Sequence, residues 1–340
     1  MATATFARHG APSVVLSMQG DEDRAPGAGE VAVKMKAAGC SYADLDVITG
    51  LAGAKRPLPA VAGIEGYGEV MAVGSGVKGL AKGDTVVPTD PLWGTWRSQA
   101  VVNQGMLAKI PSGTAPEVSA LLGSSICTAY RLLSDFAKLK SGDVVVQSNA
   151  ASSVGQAVIQ LAKAKGIQTV NLVESAEEKV LYLLACCWLQ AGAVITPAPR
   201  THFTRLLLFL SQVSNAALAI DGSGGNEGGM LGRCLVNGGK MVLYGASKRQ
   251  GSTLPIGAMI FNEVSAEGFS LSTWASQHSQ EEYASMVDEV RAYSTPAPVP
   301  FCLFCVCGCV ASHVGSSVAV IGLRQRSLPS GHTMGWIVGM

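Results

Sequence analysis

The stretch from Lys140 to Val173 leaves this chain few architectures. Lys140-Ser-Gly-Asp opens it as a turn, and Val144-Val-Val-Gln follows as an apolar run of the kind buried on both faces of a parallel sheet. Asn149-Ala-Ala-Ser-Ser-Val-Gly then leads into a segment whose apolar residues Val154, Ala157, Val158, Leu161 and Ala162 share one helical face. Gly166 closes that helix, and Thr169-Val-Asn-Leu-Val reads as a second strand. Strand, loop, helix and strand in this order form the crossover unit of a doubly wound α/β fold. Ala150, Ser152 and Gly155 occupy the spacing of the dinucleotide-binding fingerprint. A tight turn, close approach of backbone to a pyrophosphate and close helix packing each ask for a small side chain there, and the helix N-terminus then faces the anion. Glu174 stands 19 residues after Gly155, at the end of the second strand. A carboxylate there binds ribose hydroxyls and repels a 2′-phosphate. Glu177 and Glu178 follow closely, so a solvated loop acid is the competing reading.

The chain before this unit has a different texture. Residues 1 to about 115 read as short strands between glycine turns: Val14-Val-Leu, Glu30-Val-Ala-Val-Lys-Met, Gly68-Glu-Val-Met-Ala-Val-Gly and Thr85-Val-Val-Pro. That pattern predicts a small, strongly bent β-barrel. Helical spacing begins at Pro116 and resumes from Cys127-Thr-Ala-Tyr-Arg-Leu-Leu. Later apolar strands are predicted at Ala216-Ala-Leu-Ala-Ile-Asp and Lys240-Met-Val-Leu-Tyr-Gly. Asp221-Gly-Ser-Gly-Gly lacks the Lys-Ser/Thr ending of a P-loop and reads as a flexible loop. Tyr244-Gly-Ala-Ser is placed at the carboxyl edge of the sheet, where such folds bind ligands.

Charged residues make up 14% of the chain, about half the roughly 25% of ordinary domains. A hydrophobic share of 48% excludes a disordered chain. A net charge of +1, with no basic stripe, gives no case for nucleic acid. Nine cysteines without a secretory leader do not make a disulfide framework and point to an intracellular protein. Residues 180–199 carry no charge, and neither do 292–323 apart from His313. Each reaches the ~20 residues a membrane helix needs, but Gly192, Pro197 and the strand-like Ala193-Val-Ile-Thr argue for buried structure in the first. Pro296, Pro298 and Pro300, followed by Gly308, Gly315 and Gly322, argue against a span in the second. Cys302, Cys305, Cys307 and Cys309 lie among Phe301, Phe304 and Val306 with no second ligand pair, so no designed metal site is expected there.

Several blocks together carry a resemblance: Tyr42-Ala-Asp-Leu-Asp-Val-Ile-Thr-Gly, Leu58-Pro-Ala-Val-Ala-Gly-Ile-Glu-Gly, Gly94-Thr-Trp-Arg and Cys127-Thr-Ala-Tyr-Arg-Leu-Leu. Ser153-Val-Gly-Gln-Ala-Val-Ile-Gln-Leu-Ala, Gly239-Lys-Met-Val-Leu-Tyr-Gly and Phe269-Ser-Leu-Ser-Thr-Trp with His278-Ser extend it. The chain resembles the medium-chain dehydrogenase/reductase superfamily and, within it, the mitochondrial trans-2-enoyl-thioester reductases of fatty-acid synthesis. The resemblance runs from about residue 4 to 291. It implies a GroES-like catalytic domain over 1–116, a Rossmann domain over 117–291, and an atypical tail over 292–340 where the catalytic domain would normally be completed. It further implies a homodimer, a mitochondrial setting and an acyl-CoA or acyl-carrier-protein substrate. No presequence is visible, which leaves a cytoplasmic alternative. NADPH would deliver hydride to C3 of the substrate and a tyrosine the proton to C2. Cofactor contacts carry over onto Ser153, Val154, Gly155 and Gln156, onto Tyr244 and Gly245, and onto Phe269 and Leu271. An Asn on the nicotinamide side falls at Ser125.

The departures are equally specific. The family's catalytic tyrosine falls at Ala52, which has no proton to give; Tyr42 is the nearby stand-in. The basic residues for a 2′-phosphate fall at 174–176, where Glu174 favours NADH. Ile64-Glu65 replaces the His-Glu of zinc-dependent relatives, so a zinc-independent reductase is expected. A quinone or alkenal reductase of the same superfamily, or a catalytically impaired nucleotide-binding paralogue, are the alternatives.

Overall fold

In the computed structural model, the described residues are 2–20, 24–51, 56–90, 93–173, 194–195, 215–292, 321–324 and 335–338. Among the described residues, the glycine-punctuated first part forms the short strands β1 (Ala2–Phe6), β2 (Leu16–Gly20), β3 (Glu30–Ala38), β4 (Ala60–Val61), β5 (Gly66–Val73), β6 (Thr85–Pro88), β7 (Gln99–Asn103) and β8 (Leu107–Ile110). They make a five-stranded antiparallel sheet in the order β7-β3-β5-β6-β8 and a three-stranded sheet in the order β2-β1-β4. The register shifts between Ala32 and Val33 and between Met35 and Ala37 where β3 meets β5. Such irregularities bend a sheet and let it curl. The inward residues alternate as a half-buried strand requires: Val31, Val33 and Met35 on β3 join Val70, Val86 and Ala100 in one core.

The predicted strand at Val14-Val-Leu is only partly strand. Pro12–Val15 forms one helical turn, and β2 begins at Leu16. Pro12 at the first helical position sets φ for a turn, and the amides of Val14 and Val15 both donate to the Ala11 carbonyl.

The later strands are β9 (Val144–Gln147), β10 (Gln168–Leu172), β11 (Val194–Ile195), β12 (Ala216–Asp221), β13 (Leu235–Leu243) and β14 (Ser265–Gly268). All pair in parallel, in the order β11-β10-β9-β12-β13-β14. This is the doubly wound arrangement, with its reversal of strand order between β9 and β12. Val146, Leu172, Ala219, Leu231 and Met241 are among its core residues. The helix Ser153–Ala164 returns the chain from β9 to β10, and its buried face includes Ala157, Val158, Leu161 and Ala162. Two further strands, β15 (Ile321–Arg324) and β16 (Gly335–Val338), pair antiparallel.

The chain packs as two units. Residues up to Ser124 and the helices Leu271–Gln277 and Gln280–Ala292 belong to the first; the second covers Ser125–Ser270. Tyr283 on the last of these helices is buried and donates its hydroxyl to the Gly123 carbonyl within the first unit. No helix among the described residues is long and apolar enough to cross a membrane. The uncharged stretches 180–199 and 292–323 lie outside the described residues apart from 194–195, 292 and 321–323, and so do the four clustered cysteines from Cys302 to Cys309.

Candidate functional site

The turn from β9 into the helix Ser153–Ala164 is built as its small residues require. Asn149 takes a left-handed φ of 51°, which asparagine tolerates better than most residues. Ser152 caps the helix: its Oγ donates to the Asn149 carbonyl at 2.7 Å and accepts from the Gly155 amide at 3.1 Å. The Ala150 amide donates to the Leu172 carbonyl at 3.0 Å, which ties the turn to the end of β10. A Cβ on Gly155 would lie 2.6 Å from Ala150 Cα and 2.6 Å from the Asn149 oxygen. Only glycine lets the helix start so close to the turn. Gln156 reaches back through Nε2 to the Ala151 carbonyl at 2.6 Å. The positive end of a 12-residue helix thus opens at a rigid, side-chain-poor cradle, a geometry suited to a phosphate group.

Beneath the cradle lies a buried polar chain. Gln147 Nε2 donates to the Gly155 carbonyl (3.0 Å) and to Asn171 Oδ1 (2.7 Å), and Asn171 Nδ2 donates to Thr169 Oγ1 (2.9 Å). Nothing in the local sequence marks this chain, because Gln147 meets Asn171 only once β9 and β10 pair.

Across the strand-order reversal, the composition after β12 predicts a flexible loop; the structure shows a pinned turn followed by the helix Asn226–Gly232. Asp221 is fully buried. Its Oδ1 accepts from Ser148 Oγ (2.7 Å) and from the amides of Ser223 (3.1 Å) and Gly224 (3.2 Å), and its Oδ2 accepts from Ser252 Oγ. Ser148 Oγ accepts in turn from the Gly222 and Ser223 amides. Tyr244 leaves β13 with its amide on the Asp221 carbonyl at 3.0 Å, and its hydroxyl lies 3.5 Å from Ser152 Oγ. Gly245 follows it at the exposed edge. The only sequence signals for Asp221 and Ser148 were their places, each at the carboxyl end of an apolar strand.

Ser125 lies in a π-helical turn, Leu122–Ile126, and its hydroxyl is 2.8 Å from that of Ser153. Such turns concentrate at functional positions. Phe269 donates its amide to the Leu243 carbonyl and packs edge-on to Phe136, with centroids 5.8 Å apart. The second unit therefore brings together Ser125, Ser153, Val154, Gly155 and Gln156, and places Tyr244, Gly245 and Phe269 at the ends of neighbouring strands. Leu271 is buried in the first unit. Glu174 and Ala52 lie outside the described residues.

Tyr42 belongs to the first unit and begins the helix Tyr42–Thr49. Asp44 fixes that start: its Oδ2 accepts from the Ser41 amide (2.7 Å) and hydroxyl (2.8 Å), and its Oδ1 from the Ile64 amide (2.8 Å). Burial pushes the Asp44 carboxyl up to about 6, against the opposing pull of these hydrogen bonds and of the Arg56 charge. Arg56 donates to the carbonyls of Val61 and Gly63, and burial lowers it to about 10. The Gly94-Thr-Trp-Arg block knits the wall of this unit. Thr95 Oγ1 donates to the Glu65 carbonyl, Trp96 Nε1 to the Gly39 carbonyl, and the Arg97 guanidinium lies 4.1 Å from the Trp93 ring centre.

Ile64 packs its side chain on the apolar core of Phe6, Ile48 and Trp96 and offers no donor. Among the described residues no three His, Cys, Asp or Glu side chains come together.

Residues 27–112 match the alcohol dehydrogenase GroES-like domain, and residues 153–292 match the zinc-binding dehydrogenase domain. The chain is 36% identical over 297 residues to the mitochondrial enoyl-[acyl-carrier-protein] reductase of Bos taurus, covering 86% of this chain and 79% of that protein. Among solved structures it is similar to the complex of Etr1p, from Candida tropicalis, with NADP and crotonyl-CoA. The TM-score is 0.75 and the identity 26%, over 86% of this chain and 87% of the other. It is also similar to the Escherichia coli quinone oxidoreductase complexed with NADPH, with a TM-score of 0.71, 26% identity and 86% and 87% coverage.

Proposed function

Because the chain belongs to the family of mitochondrial enoyl-[acyl-carrier-protein] reductases, we propose that it reduces the C2–C3 double bond of trans-2-enoyl thioesters, carried on coenzyme A or acyl-carrier protein, with NAD(P)H. The observation that carries this reading is the cradle at Ser152–Gly155, facing Tyr244 over the strand-order reversal. The cofactor supplies hydride to C3. The chain's own residues hold it. The helix N-terminus at Ser153–Gly155 takes the pyrophosphate, with no side chain at Gly155 to push it away. Tyr244 and Phe269 flank the carboxyl edge of the sheet, and the Ser125–Ser153 hydroxyl pair offers hydrogen-bonding groups beside the first helical turn. The proton at C2 needs a donor, and Tyr42 is the candidate. Charge that develops on the thioester oxygen is stabilised by aimed donors. The chemistry proposed needs no zinc.

The cofactor is NADPH by similarity to the Etr1p complex, while a carboxylate at Glu174 favours NADH. The setting proposed is mitochondrial, after the named relatives. A homodimer is proposed on the apolar surface beside the edge strand β14: Ile256, Ile260 and Phe261 are 57, 64 and 82% exposed on one short helix, Leu254 is 40% exposed just before it, and that helix buries no residue of its own.

A second reading, reduction of quinones or alkenals, is favoured by Ala52 and by the similarity to the quinone oxidoreductase. The test is NADPH and NADH oxidation with crotonyl-CoA and with a quinone. Turnover of crotonyl-CoA is expected. A quinone-only signal overturns the first reading, and cofactor binding without turnover of either substrate assigns the chain as a catalytically impaired binder. Tyr42→Phe is expected to lower crotonyl-CoA turnover about 10²-fold or more, in line with the usual yield of a positioned acid. Unchanged turnover rejects it as the donor.

A further inference from the structure

We propose that Asp221 is a positioning residue for the nucleotide: its buried carboxylate ties together the three loops that leave β9, β12 and β13, and so holds Tyr244 over the cradle. This role rests on the reductase reading above. The strand order reverses between β9 and β12, so the loops leaving these two strands diverge and open the crevice in which such sheets bind ligands. Diverging loops need a tie. Asp221 Oδ1 supplies it through Ser148 Oγ, 2.7 Å away and on the loop after β9, while the same oxygen accepts from the Ser223 and Gly224 amides on the loop after β12. Oδ2 accepts from Ser252, beyond β13. Each of these partners donates, so the two carboxyl oxygens of Asp221 gather four donors from three loops.

Tyr244 depends on the result in two ways. Its amide donates to the Asp221 carbonyl. Its ring lies where a Cβ on Gly222 would be, with Cζ 2.5 Å from that position. The turn at Gly222 must therefore stay where Ser148 and Asp221 hold it for the ring to keep its place near Ser152. Ser247 and Lys248 complete the clasp by donating their amides to the Gly222 and Ser223 carbonyls. Asp221 touches no nucleotide in this scheme; it acts through Tyr244.

The test is a double-mutant cycle on NADPH affinity, read by fluorescence titration, with kcat and KM measured alongside. Asp221→Asn replaces one acceptor by a donor that faces other donors. It is expected to raise the NADPH dissociation constant about tenfold or more while kcat at saturating NADPH falls far less. In a Tyr244→Ala background the same change is expected to lose most of its effect, because the ring it positions is gone. Ser252→Ala, which removes one hydroxyl and leaves the strand-end bonds intact, is expected to show the same pattern more weakly and covers the case in which Asp221→Asn does not fold. Equal effects of Asp221→Asn with and without Tyr244, or unchanged affinity in both Asp221→Asn and Ser252→Ala, overturn the role alone. A wild-type chain that binds neither NADPH nor NADH overturns the reductase reading and this role with it.

Discussion

Replacing Gly155 by alanine is expected to cripple nucleotide binding while leaving the chain folded. The new Cβ would sit 2.6 Å from Ala150 Cα, 2.6 Å from the Asn149 oxygen and 2.7 Å from the Ala150 oxygen, where ordinary contact begins at 3.4 Å. All three obstacles are backbone, so no side chain can swing aside. The turn they belong to is fixed by the Ala150 amide on Leu172 and by Ser152 Oγ on Asn149. Relief needs the helix start and the turn to separate by about 0.8 Å, and overpacking of this kind costs roughly 1–3 kcal/mol. Alanine's better helix propensity returns at most about 1 kcal/mol and so does not reverse the sign. A net loss of about 1–2 kcal/mol lowers the melting temperature by roughly 1–3 °C for a chain of 340 residues. A displacement approaching 1 Å at a positioned site costs up to about a hundredfold. NADPH titration and calorimetric melting of Gly155→Ala check both numbers together. Wild-type affinity with an unchanged melting temperature would refute the idea that close backbone approach makes this cradle.

The Asp44 carboxyl, pushed up from 3.8 to about 6 by burial, gives a pH signature. The folded chain holds this proton more tightly than the unfolded chain, so the stability it contributes is complete below about pH 4 and is lost as pH rises towards 6, on the order of 3 kcal/mol. Urea midpoints across that window are expected to fall less in Asp44→Asn than in wild type, because the amide has no proton to lose; parallel slopes would reject the assignment. Glu174→Arg is expected to shift the NADPH-to-NADH preference in kcat/KM towards NADPH by at least about tenfold, the scale of one good charged contact, and no shift leaves Glu174 as a solvated loop acid. Phe261→Glu is expected to dissociate the proposed homodimer, read by light scattering; a wild-type monomer, or a dimer that survives the charge, removes this patch as the interface.

The crossover from β9 to β10 was legible because everything that makes it is local. A run of three valines, a capping serine, a 3.6-residue stripe and a closing glycine lie within about thirty residues and each favours the same structure. The bent antiparallel unit was legible from its glycine turns. Val14 was not, because Pro12 two residues earlier overrides β propensity with a helical turn. The loop after β12 misled for a different reason. Asp221-Gly-Ser-Gly-Gly has the composition of a mobile segment, and what fixes it is Ser148, 73 residues earlier, together with Ser252, 31 residues later. Gly222 looks like freedom in the sequence; in the structure it is the only residue that leaves room for the Tyr244 ring. Composition cannot carry such non-local partners.

The buried Gln147–Asn171 bond has a consequence for how the sheet assembles. The two residues face each other in the β9–β10 ladder, each sealed from water in the interior of a parallel sheet, where the other buried positions of these two strands are valine, leucine and Thr169. Apolar side chains accept many neighbours, so the valines of β9 would tolerate β10 sliding along them. The amides do not. A slip of one residue turns them to opposite faces, and a slip of two parts them by a full pleat, leaving both stranded in hydrocarbon. The pair therefore acts as a key that only one alignment of the strands can turn. That alignment is also the one that brings the Gly155 carbonyl onto Gln147 and the Ala150 amide onto Leu172. Correct threading of the sheet and correct shaping of the cradle are selected in a single event, and valine at both positions would uncouple them.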